Sequence, residues 1–341
     1  MGINQILHRS RLYRWKVEFK RLNREHLRSL EQYYSFEYGD SQEQDKHVVC
    51  VMNGNFEAGG LADRLRGIVS VYQVCKELGV AFHVYFTCPF TLQDYLEPAE
   101  YDWTIEPEDM SFGLGTDIVC CEVTDDTDYQ AAKLHKWLSG RIRKSTSHVI
   151  HIYGNPAFCY KENTYSALFH ELFRPSESLQ KAFDEAVNTL GDGFVAVQLR
   201  FTHLLGDLDD YGEVLPETQQ RVLIDACLEK VQEIKSGQGG QPLLLLSSDS
   251  RTFLAEAREK VEGVYVVEGG IAHTDFTPDC ASSVHEKLFL DYLLMARAKH
   301  IYRIVGTGMR KSGLPYSASL LNACPLTDIV FSLDTANASC D

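Results

Sequence analysis

The chain has 341 residues, a hydrophobic fraction of 44% and a formal net charge of -15 at pH 7. This length is typical of two globular domains, and the acidic balance argues against a general nucleic-acid-binding protein. No apolar run is long enough to span a membrane, and the polar, basic N-terminal residues lack the apolar core of a secretory signal. The ten cysteines include no CxxC pair, which favours reduced, buried thiols and a cytoplasmic protein.

The N-terminal 44 residues differ in composition from the rest of the chain. Residues 8–30 are rich in arginine and carry apolar side chains near helical spacing, at Leu12, Trp15, Phe19, Leu22 and Leu27. This pattern predicts a basic helix that either packs on the rest of the protein, which we favour, or makes peripheral contact with an anionic membrane. The polar residues 35–46 are interpreted as a linker.

The next region predicts a βαβ unit. An apolar strand over 48–52 and a glycine-rich loop are followed by a helix over 61–78 and a second apolar strand over 80–86. Parallel strands require a crossover of this kind. Further patterns predict strands over 117–123 and 148–153, and helices over 129–138, 162–173 and 176–190, the last with Ser176 as its N-cap.

The alternation of strand and helix starts again at residue 193. The predicted strands cover 193–199, 242–246, 264–267 and 300–305, and the predicted helices cover 216–235, 251–261, 283–298 and 317–323. We therefore predict an α/β protein with two Rossmann-like domains facing a cleft. The predicted segments are a helix and linker (1–44), a first domain (45–175), a second domain (176–325) and a tail (326–341).

The glycine-rich loop before the first long helix is a candidate ligand site. Gly59 and Gly60 allow a ligand to approach the backbone closely, and the helix that follows offers unpaired N–H groups. Arg64 falls in the first turn, where a cation opposes the helix dipole unless an anion is bound. The alternative is a tight turn with solvated arginines. The loop matches neither the dinucleotide fingerprint nor the P-loop.

Polar residues also follow two predicted strands of the second half. Arg200 ends the strand over 193–199, where it can clamp a phosphate or pair with one of the acidic residues of the next loop, Asp207, Asp209 and Asp210. Ser248 and Asp249 end the next strand. They suit a ribose or a base edge there, or they cap the helix that begins near 251.

The loop after the strand over 300–305 is a third candidate in this half. Gly306, Thr307, Ser312 and Gly313 can present N–H and hydroxyl groups to a phosphate, or they form a simple turn. The acidic runs at 125–128 and 207–210 could be a metal site of the DxD kind, but they lie in polar loops, so we predict no metal and no cofactor. No HExxH or GxSxG sequence supports a zinc site or a hydrolytic triad.

Four motifs share their order with a known family. GGLADRLRGI, VAVQLRFTH, LLLLSSD and FLDYLLMARAKHIYRIVGTGMRKSGLPYSASLL occur in that order between residues 48 and 321. They resemble motifs of the GDP-fucose-dependent fucosyltransferases of the GT-B type, which include nodulation, α1,6-, plant cell-wall and protein O-fucosyltransferases. The resemblance implies that Arg200 contacts the donor pyrophosphate and that Ser248 and Asp249 lie near the nucleoside. It places the loop from Gly306 to Gly313 against the phosphates.

The resemblance implies an inverting, metal-independent glycosyltransferase that moves fucose from GDP-fucose to a hydroxyl of a glycan or glycoconjugate acceptor. Glu57 is a candidate catalytic base because a glutamate lies at a similar place in some O-fucosyltransferases; the alternative is a solvated loop residue. Gln198, Phe201 and His203 stand where the family motif often has His, a second Arg and Asp. Another nucleotide-sugar donor, or an inactive relative that binds a sugar nucleotide or glycan, therefore stays open.

Overall fold

The protein is described by a computed structural model that covers residues 23–35, 45–121, 128–158, 164–208, 212–238, 243–271 and 282–333. The chain divides into two compact units. The first comprises Met1–Leu92 and Glu97–Arg174, and the second comprises Gln93–Leu96 and Pro175–Asp341. None of the described helices is long and apolar enough to cross a membrane.

The first unit is built on a parallel sheet of four strands. Its elements, with the two short strands at the unit boundary, are α1 (residues 23–31), β1 (His47–Met52), α2 (Leu61–Leu78), β2 (Ala81–Phe86), β3 (Leu96–Pro98), β4 (Thr116–Cys121), α3 (Asp128–Lys144), β5 (Val149–Gly154), α4 (Thr164–Leu172) and β6 (Phe173–Pro175). The strand order is β2-β1-β5-β4, and every pairing is parallel. All residues of β1 and β5 are buried, as expected for central strands covered on both faces.

Local signals explain the limits of α2. Gly59 before it adopts a φ of +78°, and Gly79 after it adopts a left-handed conformation with φ 65°. Such angles are costly for residues with a Cβ, so glycine ends the helix here. The predicted helix over 61–78 is confirmed. The helix predicted over 129–138 is longer than expected and ends at Lys144.

The part of the N-terminal helix that the structure describes packs on the first unit. Leu30 is fully buried beside Phe56 and Tyr153, and Leu27 packs against the same cluster. The ring of His26 contacts Phe56 edge-on at a centroid distance of 4.8 Å. Residues 8–22 lie outside the described residues, so contact with a membrane stays a prediction.

The second unit is built on a parallel sheet of five strands. Its elements are α5 (Glu177–Leu190), β7 (Val195–Leu199), α6 (Glu217–Ser236), β8 (Leu244–Ser248), α7 (Arg251–Lys260), β9 (Val264–Tyr265), α8 (Ser282–Arg297), β10 (His300–Val305), α9 (Leu314–Leu321) and β11 (Leu326–Val330). The strand order is β11-β10-β7-β8-β9, with β7 in the centre. The Ser176 N-cap is confirmed, since its hydroxyl accepts a bond from the Leu179 N–H.

Two features of the second unit differ from the prediction. The last helix begins at Leu314 instead of 317, because Pro315 suits the first turn of a helix. The predicted tail from 326 instead begins with β11, which pairs in parallel with β10. Its sequence LTDIV is short and carries an acidic residue, so the local pattern did not predict a strand. The α/β fold class with parallel sheets is confirmed for both units.

Candidate functional site

Arg200 directly follows β7, and its side chain is half-buried. The strands β10 and β8 flank β7 in the sheet. Because the strands are parallel, the residues that follow all three lie along one edge of the sheet. These residues include Asp249 after β8 and Gly306 after β10. The structure thus brings predicted site residues from three separate motifs to the same edge.

The carboxylate of Asp249 fixes the turn after Arg200. One oxygen accepts a bond from the Phe201 N–H at 2.7 Å, and the other accepts one from the Thr202 N–H at 2.9 Å. Thr202 has a φ of 57°, an uncommon angle for a β-branched residue. Burial raises the pKa of Asp249, although the two backbone N–H groups and the Arg200 guanidinium act in the opposite direction. Direct contact between Asp249 and a ligand stays a prediction.

The N-cap of α7 lies later in the chain than Ser248 or Asp249, the residues that the alternative prediction named as its cap. Ser250 is the N-cap, and its hydroxyl accepts a bond from the Phe253 N–H at 3.0 Å. The hydroxyl of Ser248 accepts a bond from the Ser250 N–H at 3.2 Å. The alternative in which Ser248 or Asp249 caps the helix is therefore wrong. Ser248 lies at the end of β8, where its hydroxyl can still donate a hydrogen bond.

Asp207 is engaged with the start of α7. Its carboxylate accepts bonds from the hydroxyls of Ser250 and Thr252, the second at 3.0 Å. The Asp207 carboxylate thus has its hydrogen-bond partners at the start of α7, and no ion pair with Arg200 is needed to explain its position. Asp209 and Asp210, the other predicted partners of Arg200, lie outside the described residues.

Two predicted donor-binding residues after β10 have packing roles. A Cβ at Gly306 would lie 2.6 Å from Cζ of Phe331, so a larger residue there would displace that ring. The hydroxyl of Thr307 accepts a bond from the Leu333 N–H at 2.8 Å. Both residues hold the segment that follows β11. Their predicted contact with donor phosphates stays a prediction.

Ser312 and Gly313 lie at the start of α9 and differ in exposure. Ser312 is 4% exposed, and its carbonyl oxygen accepts a hydrogen bond from the buried guanidinium of Arg303. Its hydroxyl accepts a bond from the Leu314 N–H at 3.3 Å. Gly313 is exposed, and apart from its own chain neighbours no group of the described protein lies within 4 Å of the position that a Cβ would occupy. Gly313 is therefore open to a ligand.

In the first unit, Arg64 is buried and contacts the chain itself. Its Nε donates to the Gly59 carbonyl at 2.8 Å, and one Nη donates to the Cys88 carbonyl at 3.2 Å. The guanidinium also lies 5.4 Å from the ring centroid of Phe86. These contacts fix the loop before α2. Contact between Arg64 and a donor phosphate stays a prediction.

The remaining predicted residues of this loop are more exposed. Glu57 is exposed and lies between two buried residues, Phe56 and Ala58, so its carboxylate points to solvent. Gly60 is the N-cap of α2 and has open space around its Cβ position. An exposed carboxylate on an anchored loop is accessible to a substrate, and the role of Glu57 as a base stays a prediction.

Two ion pairs of the second unit, each with a buried cation, were not predicted. Arg303 on β10 bonds to Asp328 on β11 at 2.7 Å. On α8, Lys287 bonds to Asp291 at 2.7 Å, and the same carboxylate oxygen accepts a bond from Ser247 at 2.9 Å. The available signals were a cation inside the apolar strand HIYRIV and a Lys–Asp pair on an apolar helix. Such residues are costly to bury alone, but the sequence does not show their partners.

A metal centre is not indicated by the part of the chain that the structure describes. Among these residues, no group of three or more His, Cys, Asp or Glu side chains could hold a metal ion. Residues 125–127 and 209–210, from the two acidic runs, lie outside the described residues. Metal independence therefore stays a prediction.

Each of the two units has a parallel α/β sheet, and the second has polar residues gathered at the carboxyl edge, where open α/β sheets bind their ligands. No protein-family model matches the chain, and no curated protein matches it. Solved structures do match. The α1,6-fucosyltransferase NodZ soaked with GDP-fucose has a TM-score of 0.53 and 13% identity, over 86% of this chain and 97% of the NodZ chain.

Two further structures are similar. Fucosyltransferase NodZ from Bradyrhizobium has a TM-score of 0.52 and 13% identity, over 82% of this chain and 94% of that chain. An Arabidopsis thaliana FUT1 mutant in complex with GDP has a TM-score of 0.51 and 11% identity, over 92% of this chain and 75% of that chain. At such identities the likeness shows the fold alone. The chain shares an α/β fold with these fucosyltransferase structures.

Proposed function

We propose that this protein is a glycosyltransferase that moves a sugar from a nucleotide-sugar donor, GDP-fucose, to a hydroxyl of a glycan or glycoconjugate. The observation that carries the proposal is the carboxyl edge of the second sheet. There Arg200, which precedes the turn fixed by Asp249, and the open start of α9 occur in a fold similar to that of fucosyltransferases solved with GDP or GDP-fucose. The cytoplasmic location proposed from the cysteines is a separate inference.

In the proposed reaction the donor diphosphate is the leaving group. As its bond to the sugar breaks, negative charge develops on the β-phosphate. Arg200 and backbone N–H groups near Ser312 stabilise that charge without a metal. An arginine suits this role because its planar guanidinium binds two phosphate oxygens at once.

The acceptor hydroxyl attacks the anomeric carbon from the face opposite the diphosphate, which inverts the configuration. A carboxylate that takes the hydroxyl proton accelerates this step. Glu57 is the proposed base, because its exposed side chain on the loop before α2 is accessible to an acceptor. The proposed mechanism thus assigns the leaving group to Arg200 and the proton to Glu57.

The donor is tested by isothermal titration and thermal shift with GDP, GDP-fucose, GDP-mannose, UDP-glucose and UDP-N-acetylglucosamine. We expect GDP and GDP-fucose to bind and to raise the melting temperature, because bound ligands stabilise the folded state. Preferential binding of a UDP-sugar would instead support the second candidate, a GT-B glycosyltransferase with another donor.

Turnover is tested separately by GDP release from GDP-fucose in the presence of a mixture of glycan acceptors. Release that needs an acceptor and persists in excess EDTA supports metal-independent transfer. Binding of GDP-fucose without release by any acceptor would favour an inactive sugar-nucleotide-binding relative, which the single arginine of the VAVQLRFTH motif permits. Strict dependence on added Mn²⁺ would contradict the metal-free mechanism.

A further inference from the structure

Arg303 is a buried cation beneath the start of α9. It lies on β10, is 5% exposed, and is followed by the fully buried Ile304. Its Nε and one Nη each lie 2.7 Å from the same carboxylate oxygen of Asp328. The other Nη donates to the carbonyl oxygen of Ser312. One planar guanidinium therefore connects β10, β11 and the loop before α9.

Stability alone does not explain an arginine at this position. Removing a guanidinium from water is costly. Its partner Asp328 keeps 28% of its side chain exposed, so the ion pair between them adds little net stability. An aliphatic residue would match Ile301 and Ile304, the neighbouring buried residues of β10. What an aliphatic residue could not supply is the bond to the Ser312 carbonyl.

That bond determines where the next N–H group points. The carbonyl of Ser312 and the N–H of Gly313 belong to one planar peptide, and in a trans peptide they point in opposite directions. Because the carbonyl points inward at Arg303, the Gly313 N–H points outward. Gly313 is exposed, with open space at its Cβ position. An outward N–H at the N-cap of a helix, as at Gly313 before α9, is suited to an anion.

We propose that Arg303 is a positioning residue that orients the Ser312–Gly313 peptide so that the Gly313 N–H binds the donor diphosphate. This inference rests on the proposed function. Arg303 itself does not bind the donor, since its guanidinium is buried and bonded to Asp328 and Ser312. Lys311, whose ammonium bonds to the other oxygen of Asp328 at 2.6 Å, completes the neutralisation of that carboxylate from the exposed side.

Lysine cannot replace this arginine. The single ammonium nitrogen of a lysine can keep a bond to Asp328. It cannot bond to Asp328 and to the Ser312 carbonyl at once, as the three nitrogens of the guanidinium do. Arg303→Lys therefore keeps the charge and loses the orientation of the peptide. The matched control is Arg221→Lys in the same unit, because Arg221 also bonds to two acceptor residues, Asp225 and Glu256, but lies exposed on α6.

The test compares GDP with GMP by isothermal titration on the full chain. GMP lacks the β-phosphate, so the ratio of the two dissociation constants isolates the contribution of that group. Loss of one charged hydrogen bond is expected to weaken GDP binding by about tenfold in Arg303→Lys. GMP binding is expected to change by less than about twofold, and Arg221→Lys is expected to bind both as the wild type does.

A second variant keeps the test informative if Arg303→Lys does not fold. Asp328→Asn keeps an oxygen acceptor for Arg303 but removes its charge, so we expect the same selective loss of GDP affinity to a smaller extent. If both variants lost GDP and GMP affinity in parallel, or if neither lost affinity, the positioning role of Arg303 would be contradicted. The proposed donor class would not be affected by that outcome. Failure of the wild type to bind GDP would overturn the proposed donor class, and the role of Arg303 with it.

Discussion

The carboxylate of Asp249 lies 2.7 Å from the backbone nitrogen of Phe201, the residue that directly follows Arg200. A second bond, to the Thr202 N–H, uses the other carboxylate oxygen. Neighbouring strands β7 and β8 are thereby connected beyond the end of their pairing. The backbone at Arg200 is held before any ligand arrives, which is the preorganisation that charge stabilisation in a site requires.

Replacing Asp249 tests this connection. Asp249→Ala removes both acceptors and leaves two N–H groups without partners, so the free energy of unfolding is expected to fall by about 2–3 kcal/mol. Chemical denaturation followed by circular dichroism measures the loss. The control is Asp192→Ala, because the Asp192 side chain is 96% exposed and its removal is expected to leave stability unchanged. Equal stability of both variants would contradict the role given to Asp249.

Arg200→Ala is expected to abolish sugar transfer without unfolding the protein. Removal of one group that stabilises a leaving charge typically lowers kcat by about 10²–10³-fold. The side chain is only half-buried, so the melting temperature is expected to stay near that of the wild type. The measurement is GDP release together with thermal denaturation. Arg258→Ala is the control, because this exposed arginine pairs with Glu268 on the surface. Near-normal turnover in Arg200→Ala would remove Arg200 from the mechanism.

Gly59→Ala is expected to destabilise the first unit by about 1–2 kcal/mol, because its φ of +78° is unfavourable for alanine. The added Cβ would also lie 2.9 Å from a carboxylate oxygen of Asp63. Gly140→Ala is the opposite control. Gly140 lies within α3 with open space at its Cβ position, so alanine is expected to stabilise the helix by about 0.5–1 kcal/mol.

Trp103 and Trp137 lie among the described residues of the first unit, and the sequence from 175 to 341 contains no tryptophan. Tryptophan fluorescence during urea denaturation therefore measures the free energy of unfolding of the first unit in both glycine variants. The same sign of change for Gly59→Ala and Gly140→Ala would contradict the conformational argument.

His151 is expected to make the first unit less stable in acid. It is fully buried, and its Nδ1 lies 2.7 Å from the Tyr34 hydroxyl. Burial, and to a lesser extent His47, lowers the pKa of His151 from 6.5 to about 3. The unfolded chain therefore binds a proton between these pH values while the folded protein does not, so stability decreases as the pH falls below 6.5.

The contribution of His151 is at most about 1.4 kcal/mol per pH unit in this range. Urea denaturation at pH 7 and pH 5, followed by tryptophan fluorescence, measures it. His151→Gln removes the titrating group, so this variant is expected to lose less stability between the two pH values than the wild type. An equal loss in both proteins would contradict a neutral, buried His151.

Features with a local cause could be predicted from the sequence. The helix over 61–78 begins two residues after Gly59 and ends before Gly79, both of which take positive φ, and the hydroxyl of Ser176 caps the helix that it precedes. The strand over 300–305 is an apolar, β-branched run with clear ends. In each case the residues that determine the element lie within it or next to it.

Features that depend on distant partners could not be predicted. The bonds of Arg64 to the carbonyls of Gly59 and Cys88 depend on the folded loop and could not be predicted, and its contact with a phosphate stays a prediction. The close approach of the Phe331 ring to Gly306 could not be predicted either, and the contact of Gly306 with a phosphate stays a prediction. A sequence shows that a buried arginine requires a bonding partner or that a glycine occupies a restricted position. It does not show which distant residue in the folded protein makes the contact.

The strand β11 has a practical consequence for any shortened form of this protein. Ending the chain at residue 325 would remove Asp328, the counter-charge of the buried Arg303, and Phe331, which packs on Gly306. It would also leave β10, with its buried Ile301 and Ile304, as an uncovered sheet edge. Uncovered apolar edges pair with other chains. Such a truncated protein is expected to aggregate during expression, whereas one that ends beyond residue 333 keeps the edge covered.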